Sequence, residues 1–243
     1  MVQPPVRLTV AIPTMKRFSF LEKAIPQYLE NPLITAVVVC DETGEDVKAM
    51  QEKAWGKHPK LRLHVNPKRL GVYGNKRRCM ELSPTEWVAV LDSDNIFPEA
   101  FFETLFEVWD EEGVDEKTVY AASENIRVFL ESGESEERTR HFAGMKISRS
   151  NWNQVLKMPA WNFLLNDGNW IGHKSLFDAW PPLKEEDVVG TDSIRIMRGF
   201  VEKGFTLYLV PGLRYIHTVH NGSNWIATEA QSSYLLATTD WRL

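Results

Sequence analysis

Cysteine is nearly absent from this chain. The 243 residues contain only Cys40 and Cys79, without metal-ligand spacing, so no disulfide framework is expected and both read as buried thiols. No apolar run approaches the roughly 20 residues of a membrane-spanning helix, and no charged-then-apolar segment opens the sequence. Both absences point to a cytosolic protein, or one peripheral at the cytosolic face of a membrane. A positive excess is missing as well. With a formal net charge of −5, non-specific attraction to nucleic acid or to anionic lipid is disfavoured, and nucleic acid is not an expected partner. There is no internal repeat. The glycines of Leu70-Gly71-Val72-Tyr73-Gly74-Asn75 form neither a dinucleotide fingerprint nor a Walker loop, so neither cofactor class is supported.

What the chain does contain is an alternation of short apolar runs with amphipathic segments. Leu8 to Ile12 reads as a strand stopped by Pro13, and Ser19 with Glu22 as a capping box opening a helix through Tyr28. Ile34 to Cys40 and Leu61 to Val65 read as further strands, Glu45 to Trp55 and Gly74 to Leu82 as helices, and Pro98 as the first residue of a helix through Trp109. Repeated βα units of this length predict a mostly parallel sheet flanked by helices, with ligand-binding loops at its carboxyl edge. The length suits a single domain, 1–243, in two halves, about 1–120 and about 121–243. Six of the nine tryptophans lie after residue 150. Of these later aromatics, Trp152, Trp161, Phe163, Trp170 and Trp180 are either a second small core or a platform for a sugar ring.

The most informative segment is Trp87-Val88-Ala89-Val90-Leu91-Asp92-Ser93-Asp94-Asn95. An apolar strand must be buried, whereas two carboxylates cannot be left charged in a core without partners, so Asp92 and Asp94 belong at the sheet's carboxyl edge. Along an extended strand they point the same way and are able to share one hard cation that bridges to phosphate oxygens.

Six features occur in an order that resembles family 2 glycosyltransferases of the GT-A fold. They are Ile12-Pro13-Thr14 ending the first strand, Cys40-Asp41-Glu42-Thr43-Gly44 ending the second, the Lys- and Arg-rich segment Gly71 to Glu81, Asp92-Ser93-Asp94, Gly190-Thr191-Asp192 opening a helix, and His217 to Ser223 after the last strands. The resemblance implies a Rossmann-like nucleotide-binding half followed by an acceptor-binding and catalytic half. It also implies metal-dependent, inverting transfer of a sugar from a nucleotide sugar to an acceptor hydroxyl. A UDP-sugar is favoured and a GDP-sugar is the other option.

On this resemblance Pro13, Thr14 and Asp41 hold the base and ribose, with a turn role as the alternative for Asp41. Lys76 faces the diphosphate beside Asp92 and Ser93. Asp94 and Asp92 hold Mn2+ or Mg2+, with His217 or His220 nearby. Gly168 and Asn169 match the donor-sugar loop. Trp161 and Asn162 are the candidates for an exposed acceptor contact. Asp192 is the expected general base, in a motif where the family usually has Glu-Asp and this chain has Thr191-Asp192, with Glu185, Glu186 and Asp187 as substitutes. Two rival readings are a non-catalytic nucleotide-sugar or carbohydrate-binding protein, because Thr191 replaces the usual acid, and a haloacid-dehalogenase-type phosphatase, which also uses Asp-x-Asp after an apolar strand. In the phosphatase the motif normally follows the first strand and is followed by Thr or Val where this chain has Ile96.

Overall fold

The computed structural model describes residues 6–137, 139–165, 168–184, 188, 190–223, 226 and 228–243. Its first half runs β1 (Leu8–Thr14), α1 (Phe18–Glu30), β2 (Ile34–Asp41), α2 (Glu45–Gln51), β3 (Leu61–Val65), α3 (Gly71–Leu82), β4 (Trp87–Val90) and α4 (Glu99–Glu112). The second half runs β5 (Thr118–Phe129), β6 (Ser135–Glu137), β7 (Lys146–Ile147), α5 (Trp152–Val155), α6 (Trp161–Leu165), β8 (Trp170–His173), α7 (Leu176–Ala179), α8 (Asp192–Glu202), β9 (Thr206–Val219) and α9 (Glu229–Thr238). Among the described residues the strands form one sheet ordered β3-β2-β1-β4-β8-β5-β9-β7, with β6 paired to β5. β3, β2, β1 and β4 are parallel. β8 runs antiparallel between β4 and β5, and β5 pairs parallel with β9.

Both faces of this sheet are covered, which is why its first strands read as continuous apolar runs rather than as an alternation. Val37 and Val39 pack with Leu21, Ile25, Phe101 and Leu105 of α1 and α4. Val38 and Cys40 face the other way, into a core with Cys79 and Met80 of α3 and Ile194 and Met197 of α8. Trp152, Trp170 and Trp180 belong to that second core. Of the two readings of the later aromatics, these three rings therefore take the core.

Three local expectations change. Pro13 does not stop β1, whose pairing with β2 continues through Thr14↔Asp41. Pro13 shares its side of the strand with Ala11, whose carbonyl accepts from Leu91 N. Pairing with β4 has ended by then, at Ala11↔Val90, so the missing N–H costs no ladder bond. The Ser19/Glu22 capping box is not used either, and Ser19 is exposed. Instead the buried Asp46 of α2 caps α1 from a distance, accepting from Arg17 N and Phe18 N, each at 3.0 Å, and from the Thr14 hydroxyl at 2.6 Å. Finally, β4 ends at Val90, and Asn95 N donates to Asp92 O at 2.9 Å. Asp92 and Asp94 therefore sit in a turn and diverge to different partners, rather than sharing one side of an extended strand.

Removing the Asp46 carboxylate leaves three donors without their acceptor, two of them at a helix start. Asp46→Ala should lower unfolding free energy by about 1–3 kcal/mol in denaturant titration at unchanged slope. Asp46→Asn, which keeps an acceptor oxygen, should lose less, and Ser19→Ala should be nearly silent.

Candidate active site

The loops after β1 and β4, the start of α3, the segment before β8, the start of α8 and the outer parts of β5 and β9 enclose one cleft of about 400 Å3. Pro13, Thr14, Lys76, Asp92, Ser93 and Asp94 line it, as do Asn162, Gly168, Asp192 and His217. Most of the residues singled out in the sequence therefore converge.

At its floor lies the buried ammonium of Lys76, one helical side chain reaching two distant carboxylates. Nζ is 3.1 Å from Asp92 Oδ1 and 2.9 Å from Asp192 Oδ2. Burial pulls the Lys76 pKa down, but Asp192 and Asp92 more than offset it and hold the group above its ordinary value. Burial raises the pKa of Asp92, as do Asp94 and Asp192, against the opposing pull of Lys76. Gly168 roofs this contact. A Cβ there would lie 2.2 Å from Asp92 Oδ2 and 2.7 Å from Lys76 Nζ.

Asp94 has separate partners. His220 Nε2 is 3.1 Å from Asp94 Oδ2, and Arg17 Nε is 3.9 Å from the same oxygen. Gly222 N donates to His220 Nδ1 at 3.1 Å, so Nδ1 is the accepting nitrogen and Nε2 carries the proton directed at Asp94. His220 is thus a hydrogen-bond donor to the carboxylate. His217 lies elsewhere in the cleft, with Nδ1 3.4 Å from the Tyr215 hydroxyl. Burial and Arg127 push its pKa down to about 4, so the ring is neutral near pH 7.

Three other candidates have protein partners of their own. Asp41 is fully buried, with Oδ1 accepting from Thr43 N at 2.9 Å and Oδ2 from Val47 N at 3.0 Å. Its neighbour Glu42 lines the cleft instead. Trp161 packs onto the core, its ring 6.3 Å from that of Trp241, while Asn162 and Phe163 face the cleft. Asn169 is buried behind the site, and its Oδ1 accepts from Asp92 N at 2.8 Å and from Asn95 Nδ2 at 3.3 Å. These bonds position the Asp-x-Asp turn. Glu185, Glu186 and Asp187 lie outside the described residues.

Arg17, Asn125, Arg127 and Tyr215 also line the cleft and were not anticipated. For the last three the available signal was weak: polar groups at two-residue spacing, Asn125 with Arg127 and Tyr215 with His217, in segments that otherwise read as ordinary strands.

Among the described residues no group of three or more His, Cys, Asp or Glu side chains is arranged to enclose a metal ion. The donor set still fits a hard cation of the Mg2+ or Mn2+ type. Such ions are commonly held by one or two carboxylates plus substrate phosphates. Asp92 and Asp94 are the carboxylates that would hold it, Asp92 beside Lys76 and Asp94 beside His220 and Arg17.

No curated protein sequence matches the chain. Among solved structures, that of S. aureus TarS residues 1–349 in complex with UDP-GlcNAc superposes with a TM-score of 0.67 at 12% identity, covering 90% of this chain and 60% of that one. The same fragment in complex with UDP gives 0.65 at 13% identity, covering 97% and 67%. The structure of S. aureus TarS gives 0.62 at 12%, covering 97% of this chain and 40% of that one. These similarities establish the mixed α/β architecture of the GT-A type. The model of glycosyl transferase family 2 matches residues 9–176, a span that holds β1, the Lys76 helix, the Asp-x-Asp turn and β8. The chain therefore belongs to glycosyl transferase family 2.

Proposed function

We propose that the protein transfers a sugar from a UDP-sugar to an acceptor hydroxyl by a metal-assisted, inverting displacement in which Asp192 is the base. The observation that carries this reading is the Lys76 bridge, which ties the Asp-x-Asp turn to the helix-opening Asp192 across one cleft. The choice of donor draws support from S. aureus TarS, whose similar fold is solved with UDP-GlcNAc and with UDP.

Pro13, Thr14 and Glu42 line the base and ribose end of the cleft. Asp92, Asp94 and Asp192 cluster around Lys76, with Arg17 beside Asp94, so these carboxylates would oppose a bare diphosphate next to them. A divalent ion held by Asp94, with Asp92 and the donor's phosphate oxygens, would act as a Lewis acid that stabilises the charge developing on the leaving diphosphate. Asp192, at the first position of α8 and open to the cleft, takes the proton of the acceptor hydroxyl. The acceptor oxygen then bonds to the anomeric carbon as the bond from that carbon to the diphosphate oxygen breaks. The electron pair leaves with the diphosphate, and a single displacement inverts the anomeric centre. Lys76 holds the Asp192 carboxylate at a defined distance from the diphosphate site, the orientation that such a reaction needs. Thr191, where the family usually has Glu, is buried and its hydroxyl bonds to Val188 O at 3.2 Å. It therefore leaves Asp192 as the acid of that motif facing the cleft.

Asp192→Asn should retain UDP affinity and lose about 10²–10⁴-fold in kcat, measured as UDP release. A parent protein that binds UDP-sugars but never turns them over would instead favour the binding-protein reading.

Calorimetric titration of UDP with and without Mn2+ checks the metal assignment. Mn2+ should tighten UDP binding to the parent and have little effect on Asp94→Ala; equal tightening in both would remove Asp94 from the metal site.

Gly168→Ala should weaken UDP-sugar binding at least tenfold, because the added methyl displaces Asp92 or Lys76. Its melting temperature should stay close to that of the parent, since the change faces the cleft.

A further inference from the structure

Charge is spread unevenly along this chain, and the net value of −5 averages over the separation. The 28 residues from Lys53 to Met80 hold nine of the Lys and Arg side chains and no Asp or Glu, so all 33 acidic residues lie outside them. The fold keeps this segment together. It runs through β3, which ends the sheet, and on into α3. Among the described residues β3 pairs with β2 alone, which leaves its other edge open.

Five of the nine cations are engaged. Lys76 lies in the buried bridge, Lys53 pairs with Glu22, and Arg78 pairs with Glu81 at 2.6 Å. Lys60 Nζ donates to Asn31 O at 2.7 Å, and the Arg77 guanidinium lies 4.5 Å from the centre of the Phe177 ring. The other four, Lys57, Arg62, Lys68 and Arg69, are exposed and have no carboxylate within ion-pair distance among the described residues. All four border one strand. Lys57 precedes β3, Arg62 lies on it, and Lys68 and Arg69 follow it; five extended residues span about 17 Å. Arg62 is in register with Val38 and His64 with Cys40, positions that face α3. Burial lowers the His64 pKa, and Arg78 and Arg62 lower it further, so the imidazole senses the positive field on this side.

The same edge carries apolar surface. Val65 is 52% exposed, and Pro59 and Pro67 are exposed on either side of the strand. An anionic bilayer suits both features, because its headgroups attract Lys and Arg while its interfacial layer accepts apolar groups. A soluble polyanion suits only the first. Pairing with the same edge of a second copy is opposed by like charges, since each β3 would bring its Arg62 to the contact. The acidic remainder of the molecule is repelled by an anionic surface, so the charge separation also sets which side turns towards it.

We infer that the open edge of β3, with Lys57, Arg62, Lys68 and Arg69, docks on an anionic lipid bilayer. Arg69 also lines the cleft, so the docked edge adjoins it.

The test is co-sedimentation with vesicles of phosphatidylcholine containing roughly one third phosphatidylserine. The parent should bind these vesicles, come off as salt rises, and ignore vesicles of phosphatidylcholine alone. Lys57→Gln, Arg62→Gln and Lys68→Gln combined should weaken binding about a hundredfold, since each basic residue near such a surface is worth about fivefold. Arg149→Gln, Lys157→Gln and Lys203→Gln combined remove the same number of exposed charges from the second half and should bind as the parent does. Both triple variants should melt close to the parent, and Lys68→Gln alone, with about a fivefold loss, stands in for a first triple that does not fold. Failure of the parent to bind overturns the proposal, and so does equal loss in the two triples, which would make net charge the whole effect. Retention on immobilised polyphosphate without vesicle binding also overturns it, by assigning the edge to a soluble polyanion, as does a dimer without vesicle binding that the first triple dissociates.

Discussion

Burying the Lys76 ammonium is the constraint around which this site is organised. A charge taken out of water must be paired, and Lys76 meets that requirement with Asp92 on one side and Asp192 on the other. The three residues come from α3, from the turn after β4 and from the first position of α8. Their packing fixes the separation of the Asp-x-Asp turn from Asp192. Loss of either carboxylate would leave a buried charge half-compensated, so the electrostatics of the site and the packing of α3 and α8 are coupled. The same bridge accounts for Gly168, since a Cβ there would push the Asp92 carboxylate and the Lys76 ammonium aside.

Around that bridge the fold uses buried polar side chains to hold loop backbones. Asn169 anchors Asp92 N, and Asn95 Oδ1 accepts from Thr218 N at 3.0 Å, joining the Asp-x-Asp turn to β9. Asp46 does the same for the start of α1, and Asp41 for the start of α2. Loops at a sheet edge have little apolar area to bury, so charge-assisted and amide hydrogen bonds give them a defined shape. Each of these residues fixes the backbone of a loop at the cleft, and Asp41 and Asn169 are among them.

Much of the fold was legible because its signals are local. Apolar runs of strand length separated by amphipathic segments dictate βα units, and burial on both faces explains why those runs do not alternate. The position of Asp92 and Asp94 followed from the cost of burying carboxylates. Boundaries were less legible: Pro13 stays within β1 because its partner strand on that side has already ended, and the helix after it is capped by Asp46 rather than by Ser19. Neither fact is visible without the neighbouring elements. Trp161 and Asn162 are adjacent in sequence, yet only the second faces the cleft. A helical turn and a nearby Trp241 decide this, not residue type.

By itself, then, the sequence determined the order of strands and helices, the family pattern and the carboxylates at the sheet edge, since each depends on residue type and short-range spacing. Only the tertiary structure decided which of them meet. Lys76 reaches Asp192 across 116 positions of chain, His220 rather than His217 reaches Asp94 across 126, and Asn125 reaches Tyr215 across 90. Contacts at that range are set by strand order and register within the sheet, and no local pattern encodes them.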